Sequence, residues 1–266
     1  MSTRAAIFCF HDVVALAELD RVALGHRPYV LTPEELRTLL RAGADTGLRS
    51  VPVGQLAEEV GGGVYALTFD DGASSDYTQV FPALRELGLR GTFFVVAGTV
   101  GKAGHVSWAQ LREMVAGGME IGSHSMTHPF LDRLDLETIA AEYRDSKTLL
   151  EDRLGVAVLT ASLPRGWAPP GLGTVLHGLG YRVFCTSRVG WWRRGDDPFE
   201  MPRVGVRRGM APEEFTAIVE GRPRALWRLR AIEAAKNFGK GWLGSESWQR
   251  LREPLLGWRH RVGGDA

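Results

Sequence analysis

Two short stretches of this sequence combine residue types that can do chemistry. Asp70 and Asp71 close the apolar run Val64-Tyr65-Ala66-Leu67-Thr68-Phe69 and are followed by Gly72. Adjacent strand residues project in different directions, so one carboxylate can bind a cation while the other handles protons. Read alone, Asp-Asp-Gly at a strand end is also a common turn signal. His124 and His128 shift that balance. They stand four residues apart in Gly122-Ser123-His124-Ser125-Met126-Thr127-His128-Pro129, where a strand gives way to a loop or helical turn. One such turn brings positions i and i+4 to the same side, within reach of a single cation. Two imidazoles and one carboxylate leave positions open for water and substrate, as a catalytic metal site requires; a closed structural site would call for four protein ligands.

The elements that must hold these groups alternate between strand and helix. Residues 5–10 read as a first strand, and Thr32 with Pro33 opens a helix running to about Ala42. Residues 51–53 suit a short strand and 64–69 a buried one. A helix over 76–87, a strand over 92–97, a helix over 107–117, a strand over 119–123 and a helix over 135–154 follow. Residues 158–161 suit a strand, 171–179 a helix, 181–186 a strand and 212–220 a helix started by Pro212. Such alternation predicts an α/β fold with a largely parallel sheet, helices outside, and functional groups at the C-terminal ends of the strands. Both polar clusters fall at such ends.

Thr68-Phe69-Asp70-Asp71-Gly72 together with His124-Ser125-Met126-Thr127-His128 resembles the first two motifs of the polysaccharide deacetylases, the NodB-homology domain of carbohydrate esterase family four. The resemblance covers roughly residues 5–220. It implies a distorted (β/α) barrel of about seven parallel strands and a divalent cation, most often zinc. It also implies removal of an N-acetyl group from an amino sugar in a polysaccharide or glycoconjugate precursor. By position, Asp70 corresponds to the family's base, and Asp71, His124 and His128 to its metal ligands.

The chain departs from that pattern twice. The third motif usually carries an Arg that orients the base, and Ala161-Ser162-Leu163-Pro164-Arg165 has Ser162 there, as in a branch with a Phe-Ala-Tyr-Pro-like motif. Arg165 is a candidate substitute, or an ordinary surface Arg beside the substrate. The last motif usually ends in a His that acts as general acid, and Arg208 stands in its place, able to stabilise charge but not to donate a proton at neutral pH. His11, in Phe10-His11-Asp12-Val13, resembles the family's Tyr-His-x-Val opening and is the best spare acid, with a structural His as the alternative; His105 and His177 are weaker candidates. Trp167, Trp191 and Trp192 fall in predicted loops where sugar faces could stack, or in ordinary packing, while Trp108 reads as helix core.

At 266 residues, with 44% hydrophobic and 24% charged side chains, the composition is that of a globular chain. A formal net charge of +1 gives no reason to expect a nucleic-acid partner. Residues 1–220 read as the catalytic domain and 221–266 as a basic, Trp- and Leu-containing helical tail. From Arg222 onward the tail has ten Lys and Arg against four acids. That pattern suits peripheral contact with the inner face of a membrane, or docking of its apolar side on the barrel. No apolar run approaches the ~18 residues of a membrane span. The N-terminus enters a strand without signal-peptide features, and Cys9 and Cys185 read as reduced core thiols, so a cytoplasmic location is expected. Two alternatives to the deacetylase stay open: a non-catalytic relative that binds metal and sugar, and a hydrolase of an O-acetyl ester or a non-sugar amide.

Overall fold

The computed structural model describes residues 4–59, 63–166, 168–232 and 234. Among the described residues there are ten strands: β1 (Arg4–Ala5), β2 (Ile7–Phe10), β3 (Arg49–Ser50), β4 (Val64–Asp71), β5 (Thr92–Val95), β6 (Glu120–Ser123), β7 (Thr160–Ser162), β8 (Val183–Cys185), β9 (Trp192–Arg193) and β10 (Val204–Gly205). Seven of them run parallel in the order β10-β2-β4-β5-β6-β7-β8, curling into a distorted half-barrel, with β3 paired to the start of β4. Seven α-helices are described: α1 (Pro33–Ala44), α2 (Val53–Glu59), α3 (Phe81–Glu86), α4 (Trp108–Ala116), α5 (Leu136–Leu154), α6 (Leu172–Gly178) and α7 (Pro212–Val219). The expected alternation and parallel sheet are therefore present.

Period-two alternation decides what each strand shows to either side. On β4, Tyr65, Leu67 and Phe69 face the helices, whereas Val64 and Ala66 join Ile7, Phe94, Val183 and Cys185 in a separate interior cluster. Continuing the same alternation turns Cys9, Asp70 and Ser162 inward. The outer layer is aromatic: Phe8 stacks on Phe215 of α7 at 4.0 Å, and Phe10, Phe69 and Phe93 stack in series. Each such fully buried ring contributes roughly 1.5–3 kcal/mol.

Helix starts follow their sequence signals. Thr32 and Glu35 form a capping box at α1, as do Ser107 and Gln110 at α4, and Asp135 caps α5 through Thr138 N. Three boundaries differ from expectation. The strand expected at 51–53 occurs at Arg49–Ser50, because Pro52 cannot donate to a ladder; Val53 N turns to Thr92 Oγ1 instead (2.9 Å) and opens α2. The helix expected over 76–87 begins as a π-helical turn at Asp76–Val80, with Pro82 just inside α3 removing a helical donor. Val158 lies outside β7 because its backbone bonds Lys147 Nζ (2.6 Å) and Glu151 Oε1 (2.9 Å) of α5.

Candidate active site

Asp70 sits at the inward C-terminal end of β4, 3% exposed. Arg203, immediately before β10 and equally buried, meets it fork to fork: Nη1 donates to Oδ1 at 2.7 Å and Nη2 to Oδ2 at 2.8 Å. The guanidinium is itself fixed, with Nε donating to Thr186 O (3.1 Å) and Nη1 also to Thr68 Oγ1 (3.2 Å). Burial alone would raise the Asp70 pKa, but the Arg203 charge overrides it, with His124 adding to the effect, and holds the carboxyl below its ordinary value. The Cys9 thiol on β2 donates to Asp70 Oδ2 at 3.4 Å.

Asp71 points elsewhere because its φ is +82°, with Gly72 following at +71°. Its Oδ1 lies 3.4 Å from His124 Nε2 and 3.4 Å from His128 Nε2. Tetrahedral zinc bonds of ~2.0–2.1 Å place ligand atoms roughly 3.3 Å apart, so this carboxylate and two imidazoles fit one divalent cation. Desolvation would raise the Asp71 pKa; the hydrogen bond from His124 and the neighbouring imidazoles bring it well below the carboxylate range. His128 is lowered to about 4 by burial and by the proximity of His124.

The loop carrying the two histidines is strained and heavily supported. Among the described non-glycine residues, positive φ occurs at Asp71, Ser125, His128 and Arg165, all at this site. Ser162 Oγ and His124 Nδ1 share a 2.6 Å hydrogen bond, leaving Nε2 for a cation. Ser125 Oγ accepts from His128 N (2.9 Å), and Glu142 of α5 accepts from Met126 N, Thr127 N and Thr127 Oγ1 at 2.7–3.0 Å. Gly98 lets the backbone approach: a Cβ there would stand 2.6 Å from Met126 O.

His11 follows β2 and is half-buried, its Nδ1 enclosed without a hydrogen-bond partner and its ring tilted against Tyr29 at 5.5 Å. Burial lowers its pKa. One ligand atom each of Cys9, His11 and Asp70 lies within 4.8 Å of the others, as do those of Asp71, His124 and His128. The expected base, metal ligands and spare acid are thus brought together.

The remaining candidates divide. Arg165 is exposed, donates from Nε to His128 O (3.2 Å) and lies 4.3 Å over the Phe130 ring, so it braces the His128 loop and has no hydrogen bond to Asp70. Arg208 pairs instead with Glu35 of α1 (3.8 Å) and donates its backbone N–H to Pro28 O. Trp191 lies away from the Asp70 and Asp71 cluster: it is 6% exposed, with Nε1 donating to Ile218 O, and the adjacent Trp192 pairs with Ala5 at the sheet end opposite the site. The antiparallel β1–β9 pairing takes both tryptophans there. Trp167 lies outside the described residues, as does the tail from 235 onward. His105 bonds Ala103 O, His177 is an exposed helix residue, and Trp108 is half-buried under Arg153. Arg203 was legible only as an Arg in the apolar run Met201-Pro202-Arg203-Val204, where a buried cation demands a buried partner.

Residues 57–184 match the family model for polysaccharide deacetylases. The chain is 29% identical to YxkH of Bacillus subtilis over 154 residues, covering 58% of this chain and 55% of that protein. It is 30% identical to the peptidoglycan-N-acetylglucosamine deacetylase of Bacillus cereus over 144 residues, 54% of this chain and 62% of that one. The match therefore spans less than two thirds of either relative. Among solved structures, the Streptococcus pyogenes deacetylase PplD, in complex with acetate, superposes with a TM-score of 0.71 at 21% identity, covering 79% of this chain and 95% of that one. A Bacillus cereus polysaccharide deacetylase gives 0.73 at 19% identity, covering 81% and 69%. At these identities the structural likeness is one of fold.

Proposed function

Residues 57–184 of this chain belong to the polysaccharide deacetylase family, and from that premise we propose that it is a metal-dependent hydrolase removing an N-acetyl group from an amino sugar of a polysaccharide or glycoconjugate. The observation that carries this reading is the pairing of two differently set aspartates. Asp71 converges with His124 and His128 at cation-ligand spacing, and Asp70 beside them is held ionised by Arg203.

Asp71, His124 and His128 would hold a divalent cation, zinc best suiting the donor set; when bound it polarises the acetyl carbonyl and acidifies water. Asp70 accepts the proton of the attacking water, since it is ionised at neutral pH and its two oxygens are fixed by the guanidinium. Arg203, from just before β10, performs the orienting task for which Ser162 has no charge. Ser162 instead orients His124. His11, on the same inward face and grouped with Cys9 and Asp70, is the candidate to protonate the departing amine, taking up the proton during turnover since burial lowers its pKa.

The non-catalytic alternative rests on two departures, the missing third-motif Arg and the Arg208 that stands for the acid; the Arg203 fork on Asp70 speaks against the first, and acetate release decides the second. The test is acetate release from a panel of N-acetylglucosamine oligomers, peptidoglycan fragments and chitin oligomers, with and without chelator. Acetate and free amine that appear only with metal support the proposal. Release from O-acetyl esters alone would move the reaction to another bond, and no release from any member would contradict it.

A further inference from the structure

Beside the Asp71, His124 and His128 cluster lies another set of ligand atoms. Parallel pairing of β2 with β4 aligns Cys9 with Thr68 and Phe10 with Phe69, and the inward alternation of the two strands turns Cys9, His11 and Asp70 toward the barrel interior next to one another. The sulfur, an imidazole nitrogen and a carboxylate oxygen lie within 4.8 Å of one another, and Cys9 Sγ is 3.4 Å from Asp70 Oδ2. His11 Nδ1 is buried and has no partner. Ser162, the inward residue of β7, is already engaged with His124, so the second set is independent of that contact.

We propose that Cys9, His11 and Asp70 form a second, weaker cation site for thiophilic divalent ions such as Zn2+ and Cd2+, and that filling it switches the enzyme off. A thiolate, an imidazole and a carboxylate make a donor set softer than the neighbouring two-imidazole, one-carboxylate set, and such sets prefer zinc and cadmium over magnesium or calcium. Binding exchanges one proton for the ion: the Cys9 S–H bond breaks, its electron pair goes to the metal, and the proton leaves to solvent. Asp70 contributes an oxygen lone pair not used by Arg203. The Arg203 charge disfavours a second cation here, which sets the order of filling: the Asp71 site first, this site only in excess metal. Its occupant would hold Asp70 and His11 together, removing proton acceptor and proton donor at once. The inhibitory clause rests on the proposed function; the binding clause does not.

The experiment titrates the metal-free full chain with Cd2+, following bound metal by equilibrium dialysis and the thiolate-to-metal charge-transfer absorbance. Acetate release is read in a parallel titration with Zn2+. The first equivalent should bind without a charge-transfer band, because its three ligands contain no sulfur. The second should bring the band and a loss of activity. Cys9 and Cys185 are the only cysteines, so a band persisting in Cys185→Ser assigns the thiolate to Cys9 without altering it. Cys9→Ser should lose the band, and His11→Ala should weaken the second equivalent by at least the roughly 10–100-fold seen when supporting partners of a metal are lost. No band at saturating Cd2+, its disappearance in Cys185→Ser, or its growth with the first equivalent would overturn the proposal. Absence of acetate release at one equivalent of Zn2+ would instead contradict the deacetylase reading and leave the band to be judged separately.

Discussion

At Asp70 two large effects oppose each other: burial favours the neutral acid, and a bidentate guanidinium favours the anion. The anion prevails only while Arg203 is present. Arg203→Met should therefore destabilise the protein by about 3–5 kcal/mol, the usual consequence of stranding one member of a buried ion pair. Arg203→Lys keeps the charge but cannot span both oxygens. It should fold, retain its metal and lose kcat by more than about tenfold, checked by steady-state kinetics alongside metal analysis. Ser162→Ala should act on the other half of the site, weakening metal affinity roughly 10–100-fold through His124. Four candidate site residues were legible from local spacing alone, since Asp70, Asp71, His124 and His128 sit in two short motifs. Arg203 was not, because its partner is 133 residues away in sequence and no local pattern encodes that pairing. Arg208, read from its place in the alternating run Val204-Gly205-Val206, turns out to belong to the contact with Glu35.

Among the described elements, the β6–α5 connection holds two of the four non-glycine residues with positive φ. Ser125 and His128 both adopt left-handed backbone conformations without being glycine, and Glu142 of α5 secures the intervening N–H groups. Glu142→Ala should cost on the order of 2 kcal/mol, since several hydrogen bonds to one charged group are lost, and should lower metal affinity; thermal unfolding and competition with a metal indicator would report both. Inside the barrel, Gly122 is required by space. A Cβ there would lie 2.5 Å from Phe94 and 2.7 Å from Thr160 Oγ1, so Gly122→Ala should destabilise by about 1–3 kcal/mol. Helix and strand identity was readable because apolar periodicity and capping residues agree along most of the chain. The departures at Pro52 and Pro82 came from missing N–H groups, and that at Val158 from side chains of α5 that claim its backbone.

For the whole molecule, a parallel barrel collects its unpaired polar groups at one end, so stability and activity draw on the same residues. Among the described residues no helix is long and apolar enough to cross a membrane. In the metal-free protein, His128 has a folded pKa of about 4 against an ordinary 6.5, so the unfolded chain takes up this proton first as pH falls. Stability should therefore decline from about pH 6.5 toward pH 4. The Asp70 contribution, its folded pKa being depressed, is fully present above the ordinary carboxylate value and is lost only at still lower pH. Added zinc should raise Tm near neutral pH, and this increment should shrink as pH falls toward about 4, where protons compete for His128 in the folded protein; a pH series of thermal melts with and without metal measures it. The barrel was foreseeable from strand and helix alternation joined to the two motifs, whereas the placing of Trp191 and Trp192 at the far end depended on the short antiparallel β1–β9 pair, which no periodicity announces.

The most direct test of the central claim compares wild type with Asp70→Asn, reading bound metal and released acetate on the same preparations. With one equivalent of zinc, Asp70→Asn should bind it as wild type does and release essentially no acetate from N-acetylated oligosaccharides that wild type deacetylates. Equal acetate release by the two proteins, or loss of the metal on replacing Asp70, would contradict the assignment of Asp70 as base and Asp71, His124 and His128 as metal ligands.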